Sequence, residues 1–83
     1  MDKVLVEIYL PVANATYDVY LPLRLKVYEI RTLLSNMLGE LSGGCFIWSD
    51  DTIICEKSTG KTLDVNLSVE ELGLINGSKL VVI

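Results

Sequence analysis

The sequence predicts an α+β fold: a mixed sheet of four to five strands packed on one main helix. Three observations predict it. Residues 4–21 alternate between two faces with period two, residues 27–41 switch to a helical period, and residues 79–83 return to a β-branched apolar run. A single helix between an opening hairpin and a closing strand lets that last strand come back parallel to the first.

Each element has its own signature. Val4, Val6, Ile8 and Leu10 alternate with Leu5, Glu7 and Tyr9, which reads as a strand with one buried face. Pro11-Val12-Ala13-Asn14-Ala15 is a short connector with turn chemistry at Asn14. Tyr17, Val19 and Leu21 alternate with Thr16, Asp18 and Tyr20, so the two runs form an antiparallel hairpin that ends at Pro22. Val27, Ile30, Leu33, Leu34, Met37, Leu38 and Leu41 then recur at i, i+3, i+4, i+7, with Arg31, Thr32, Ser35 and Asn36 on the opposite face. Gly39 lies near the expected stop. The start is poorly marked: no capping side chain precedes Val27, and Arg24 and Lys26 sit at the wrong pole of the helix dipole. Burial of the apolar stripe, at ~1.5 to 3 kcal/mol per aliphatic side chain, outweighs that defect.

Residues 39–51 carry no periodic signal, and Cys45 to Trp48 reads either as a short strand or as a loop with anchoring aromatics. Thr52 to Cys55 is β-branched, Ser58-Thr59-Gly60 is a turn, and Thr62 to Val65 reads as a short return strand. Ser68 and Glu71 have capping-box spacing, so one helical turn begins there and stops at Leu72-Gly73. Asn76-Gly77 turns the chain into the final strand. One amphipathic helix across one face of such a sheet is the β-grasp arrangement.

Composition narrows the function. Eighty-three residues make one small domain, 1–83, and 51% hydrophobic residues suit a packed globule. Seven scattered Lys and Arg in a chain of net charge −4 do not make a nucleic-acid surface, which needs clustered cations. The sequence shows no secretory signal and no apolar stretch of the ~18 to 20 residues that span a bilayer, so direct membrane insertion is not expected and a cytoplasmic protein is. With two Cys and no His, a four-ligand zinc site is out of reach within one chain, and Cys45 and Cys55 read as free thiols packed as small apolar side chains. No cofactor is expected.

Several runs then match a known group. Gly60-Lys61-Thr62-Leu63, Leu67-Ser68-Val69-Glu70-Glu71-Leu72-Gly73-Leu74 and Ser78-Lys79-Leu80-Val81-Val82 resemble the last third of ubiquitin. Val4-Leu5-Val6-Glu7-Ile8, Tyr17-Asp18-Val19-Tyr20-Leu21-Pro22 running into the Val27 helix, and Glu71 through Leu80 make the chain similar to the small bacterial ubiquitin-like proteins of the YukD (EsaB-like) type. The likeness spans nearly all of the chain outside residues 39–51. It implies a cytosolic accessory component of type VII (WXG100-type, ESX-like) secretion that is not conjugated to substrates and is not an enzyme. The second reading, a sulfur or acyl carrier, implies a terminal Gly-Gly, whereas this sequence closes on Ile83. The Gly43-Gly44 pair is internal and cannot be adenylated in place.

Other motifs dissolve on inspection. Cys55-Glu56-Lys57-Ser58-Thr59-Gly60-Lys61-Thr62 resembles a P-loop without its first Gly, but Thr62 leads into Leu63-Asp64-Val65-Asn66 rather than the helix that a phosphate site requires. Three Asn-X-Ser/Thr triplets, at Asn14, Asn66 and Asn76, are explained by turns and caps. Asp50-Asp51 and Glu70-Glu71 are adjacent pairs that do not face one another, so no acid–base dyad is expected.

The candidate site is the sheet face turned away from the helix. If Val4, Val6, Ile8 and Leu10 face the helix, Leu5 and Tyr9 face outward. By the same alternation Val81 and Ile83 face outward while Leu80 and Val82 face in. Leu5, Tyr9, Val81 and Ile83, joined by Tyr20, are expected to form one apolar area that docks a protein partner, with type VII secretion machinery as the expected one. Trp48 reads as a loop anchor into the core. Self-association through an edge strand, giving a homodimer, is the third reading.

Overall fold

In the computed structural model, which describes residues 2–83, the alternation of the first run becomes strand β1 (Lys3–Leu10), paired along its whole length with β2 (Ala15–Pro22). The turn between them is a short 3₁₀ segment, Pro11–Ala13. Asn14 closes it in the left-handed conformation at φ 46°, its N–H bonded to the Pro11 carbonyl. Asn tolerates that backbone where a β-branched residue would be strained.

Helix α1 runs Val27–Leu41 and buries Val27, Ile30, Leu34 and Leu38. Its N-terminus is poorly marked in the sequence because two of its backbone partners are tertiary. The Val27 and Tyr28 N–H groups donate to the Leu67 and Val65 carbonyls at 2.9 and 3.2 Å, and the Lys26 N–H donates to the Glu29 carboxylate at 3.0 Å. These bonds satisfy donors that a helix start leaves free. The C-terminus corrects the sequence reading. Gly39 lies inside the helix, and the stop is Gly43 at φ 66°. The Gly44 N–H reaches the Gly39 carbonyl and the Gly43 N–H reaches that of Glu40, the paired bonds of a Schellman motif. The Gly43-Gly44 pair is therefore the helix terminator. The apolar stripe is narrower than its periodicity, since Leu33 and Met37 are half-buried and Leu41 is exposed.

Strands β3 (Ile54–Glu56) and β4 (Lys79–Val82) complete a four-stranded sheet in the order β2-β1-β4-β3. Strand β4 runs parallel to β1, with Glu7, Ile8 and Tyr9 opposite Lys79, Leu80 and Val81, and antiparallel to β3. The closing strand thus lies beside the opening one, as the pattern required. This is the ubiquitin-like β-grasp fold. The expected return strand at 62–65 reduces to a single bridge, Cys55 to Thr62, held by the Glu56 N–H to the Lys61 carbonyl and the Leu63 N–H to the Ile54 carbonyl. Thr62 thus folds back on β3 instead of opening a helix, contrary to a P-loop.

Between sheet and helix lie Val6, Ile8, Leu10, Val19, Leu21, Leu80 and Val82 from the strands and Ile30, Leu34 and Leu38 from α1. Residues 45–48 form no strand. They are a loop that sends Phe46 into the core, and Trp48, half-buried, meets the Phe46 ring edge-on at 5.7 Å. Of the two thiols Cys55 is buried as expected, whereas Cys45 is exposed on that loop. The Ser68–Glu71 box is reciprocal: the Ser68 N–H donates to the Glu71 carboxylate at 2.9 Å and the Glu71 N–H to the Ser68 hydroxyl at 3.1 Å.

Candidate protein-interaction surface

The sheet face opposite α1 is built by strict alternation. On β1 it receives Lys3, Leu5, Glu7 and Tyr9; on β2, Thr16, Asp18 and Tyr20; on β4, Lys79 and Val81. The β3–β4 ladder continues past its assigned ends. Ile53 and Ile83 exchange both backbone hydrogen bonds at 2.7 and 3.0 Å, and the Lys57 N–H donates to the Lys79 carbonyl. Ile53, Cys55 and Lys57 therefore share this face with Ile83, Val81 and Lys79.

Every predicted site residue lies on it. Leu5 stands opposite Tyr20, and Tyr9 opposite Val81, with Ile83 two positions further along. Leu5, Tyr9 and Val81 are half-buried, while Tyr20 and Ile83 are each more than half exposed. They do not form the single apolar area that the sequence suggested. Glu7 separates Leu5 from Tyr9 on the same strand and face, and Lys79 stands opposite Glu7 with Nζ 3.9 Å from the carboxylate. The ion pair divides the face into a Leu5–Tyr20 pair on one side and a Tyr9–Val81–Ile83 group on the other. The spacing of Leu5, Glu7 and Tyr9 already carried that division.

The second group extends beyond the residues singled out from sequence. Ile53 flanks Ile83, and beyond it a groove of about 470 Å³ opens between the hairpin turn and the 45–48 loop, lined by Val12, Cys45, Phe46, Ile47 and Ile83 among others. Val12 and Ile47 are 65% and 82% exposed. Neither lies on a periodic element, so no alternation pointed to them. Cys55, although on this face, is covered, its Sγ lying 3.9 Å from the Thr62 hydroxyl.

The tyrosines carry cations. The Lys3 ammonium lies 4.7 Å from the centroid of the Tyr20 ring and that of Lys57 5.3 Å from Tyr9. The Tyr9 hydroxyl donates to Asn14 at 3.1 Å, which ties this ring to the hairpin turn.

The perturbed groups lie elsewhere. Glu71 is held down to about 2, first by the Ser68 backbone N–H, then by the Lys26 ammonium 3.0 Å away and the Ser68 hydroxyl. Lys26 is raised by the same carboxylate. This cluster locks the 68–71 turn to the start of α1 as a solvent-exposed clasp. Among the described residues no group of three or more His, Cys, Asp or Glu could hold a metal ion, and no helix is long and apolar enough to cross a membrane.

No protein-family profile matches the chain, and no curated protein does. Solved structures do. Caldiarchaeum subterraneum ubiquitin superposes with a TM-score of 0.73 at 21% identity, covering 96% of this chain and 90% of that one. The ubiquitin-like domain of the Mycobacterium tuberculosis type VII secretion system protein ECCD1 gives 0.67 at 17% identity, covering 100% and 99%. A chain of the toluene 4-monooxygenase HD complex gives 0.78 at 9% identity, covering 96% and 95%. At these identities the likeness establishes the fold, and the three proteins show how differently that fold is employed.

Proposed function

We propose that this chain is a non-enzymatic interaction module of the YukD or EsaB type, a cytoplasmic accessory component of type VII secretion that docks on a protein through the open face of its sheet. Two things support the secretion reading: the resemblance of the Tyr17–Pro22 and Glu71–Leu80 runs to that family, and the same fold in a mycobacterial secretion protein. The docking reading rests on one observation. An apolar group, Tyr9, Val81, Ile83 and Ile53, lies on the sheet face opposite α1, covered there only in part, at Cys55 by Thr62, and through Ile83 it adjoins the groove at Val12 and Ile47. A contiguous apolar surface on a small protein is what a partner buries.

The test is a double variant, Tyr9→Asp with Val81→Asp, expressed in the host in place of the parent. Export of a WXG100-type substrate and recovery of the chain with components of the secretion machine are the readouts. Loss of both, with the circular-dichroism spectrum and thermal transition of a folded protein, is the expected result. A folded double variant that sustains export and recovery refutes the surface. Loss of recovery alone, with export intact, refutes the secretion role.

A further inference from the structure

The open face differs in charge from the rest of the molecule. It carries three cations, Lys3, Lys57 and Lys79, against two carboxylates, Glu7 and Asp18, while the remaining surface carries four cations against nine carboxylates. Within an acidic chain, cations outnumber anions on this face. Two of its three lysines have no carboxylate within ion-pairing distance among the described residues, and each instead lies over a tyrosine ring. The third, Lys79, holds Glu7 at 3.9 Å in an exposed pair, a weak tie that a partner carboxylate can displace.

Lys57 and Lys79 are directly opposite across the β3–β4 ladder, beside Tyr9, and with Glu7 and Thr16 they line a cleft of about 200 Å³. Glu7 offsets one of the two ammonium charges, so the cleft keeps a net positive charge. Along β4 the apolar end of the face, at Ile83, is four positions from Lys79, or ~13 Å at the rise of an extended strand. The face therefore has polarity: at one end Ile83, which also lines the groove at the end of the sheet, and a pair of lysines a fixed distance away.

We propose that this face takes an acidic protein segment with one apolar anchor. The anchor enters the groove between Val12, Ile47 and Ile83, and carboxylates ~13 Å along the segment lie over Lys57 and Lys79. This deepens the docking reading above and rests on it. Three spaced lysines in a chain of net charge −4 suit a few placed carboxylates and not the dense charge of a nucleic acid. Cations stacked on tyrosine rings present their remaining N–H donors outward, where a carboxylate accepts them.

The test titrates three synthetic peptides into the isotopically labelled chain and follows its amide NMR resonances. Each peptide carries a Leu-Leu anchor followed by four Glu, four Gln or four Lys. The Glu peptide is expected to move resonances of residues 53–57 and 79–83. The Gln peptide should bind the same face roughly tenfold more weakly, the scale of a few charge contacts. The Lys peptide should bind less still. In the variant Lys57→Gln with Lys79→Gln, which changes only exposed side chains, the gap between Glu and Gln peptides should close. Equal affinity of the Glu and Gln peptides at this face overturns the acidic partner and leaves the docking face standing. Shifts confined to other parts of the chain, or none at millimolar peptide, overturn both. Binding to phosphatidylglycerol vesicles in preference to the Glu peptide overturns the protein partner in favour of a membrane surface.

Discussion

Leu34 and Leu41 sit seven residues apart on the same helix, so by periodicity they are equivalent, yet the structure separates them completely. Leu34 is 0% exposed among the core residues of the sheet, and Leu41 is 50% exposed one residue before the Ser42 cap. Leu34→Ala removes fully buried methyl groups and leaves a cavity, which costs about 3 to 4 kcal/mol in a site unable to collapse. Leu41→Ala removes surface that water already reaches, so its cost should stay under about 1 kcal/mol. A domain of this size has about 4 to 12 kcal/mol to lose, so the first change consumes a large share of its stability. The assay is guanidinium unfolding followed by fluorescence of Trp48, the only tryptophan, whose ring packs against Phe46. Leu34→Ala should lower the midpoint by about 1 to 2 M with the slope unchanged. Leu34→Met, which conserves volume at a cost below about 1.5 kcal/mol, gives a folded reference if the alanine variant does not fold. Comparable losses for Leu34→Ala and Leu41→Ala would falsify the placement of the stripe and with it the tilt of α1 on the sheet.

Three further outcomes follow from individual contacts. Gly43→Ala should cost about 1 kcal/mol because φ 66° strains any L-residue, whereas Gly39→Ala, whose added Cβ lies 3.8 Å from the nearest atom, should be neutral or stabilising by up to about 1 kcal/mol; thermal denaturation of the two variants distinguishes them. Asn76→Ala removes the acceptor of the Leu5 N–H, bonded at 2.8 Å to the Asn76 side chain, so amide exchange at Leu5 should accelerate about tenfold while exchange at Ile8 is unchanged; equal acceleration at both would mean that the loss is global. Glu71 ionises more readily folded than unfolded, so its contribution is fully present above the unfolded value near 4.5 and is lost as pH falls through about 2; Glu71→Gln should flatten the pH dependence of stability across that window, and an NMR titration of the carboxyl centred near 4.5 would contradict the clasp.

How much of this was legible follows from where each constraint resides. Strict alternation in residues 4–10, 16–21 and 79–83 encodes the face of each residue in those strands, because a period of two admits only one inward set, and the candidate site inherits that certainty of direction. Contiguity is different: Leu5 and Tyr9 share a face by parity, but the residue between them on that face is Glu7, and alternation assigns direction without regard to what intervenes. The ends of α1 escaped for a complementary reason. The Val27 and Tyr28 donors are met by the Leu67 and Val65 carbonyls, supplied by a segment far later in the chain, and the local contribution is the Glu29 carboxylate on the Lys26 N–H, with no Ser, Thr, Asp or Asn at the cap to announce it. Gly39 is tolerated within the helix where it faces the Phe46 backbone, and the true stop needed positive φ, which Gly43 supplies. The groove at Val12 and Ile47 is the extreme case. Its walls come from a 3₁₀ turn and a loop without period, brought together only because β1 and β4 end side by side. Face direction is thus a property of each strand alone, while the shape of a binding surface is a property of which strand ends meet, and that second property enters only once Ile83 has been placed beside Ile53 and the turn at Val12.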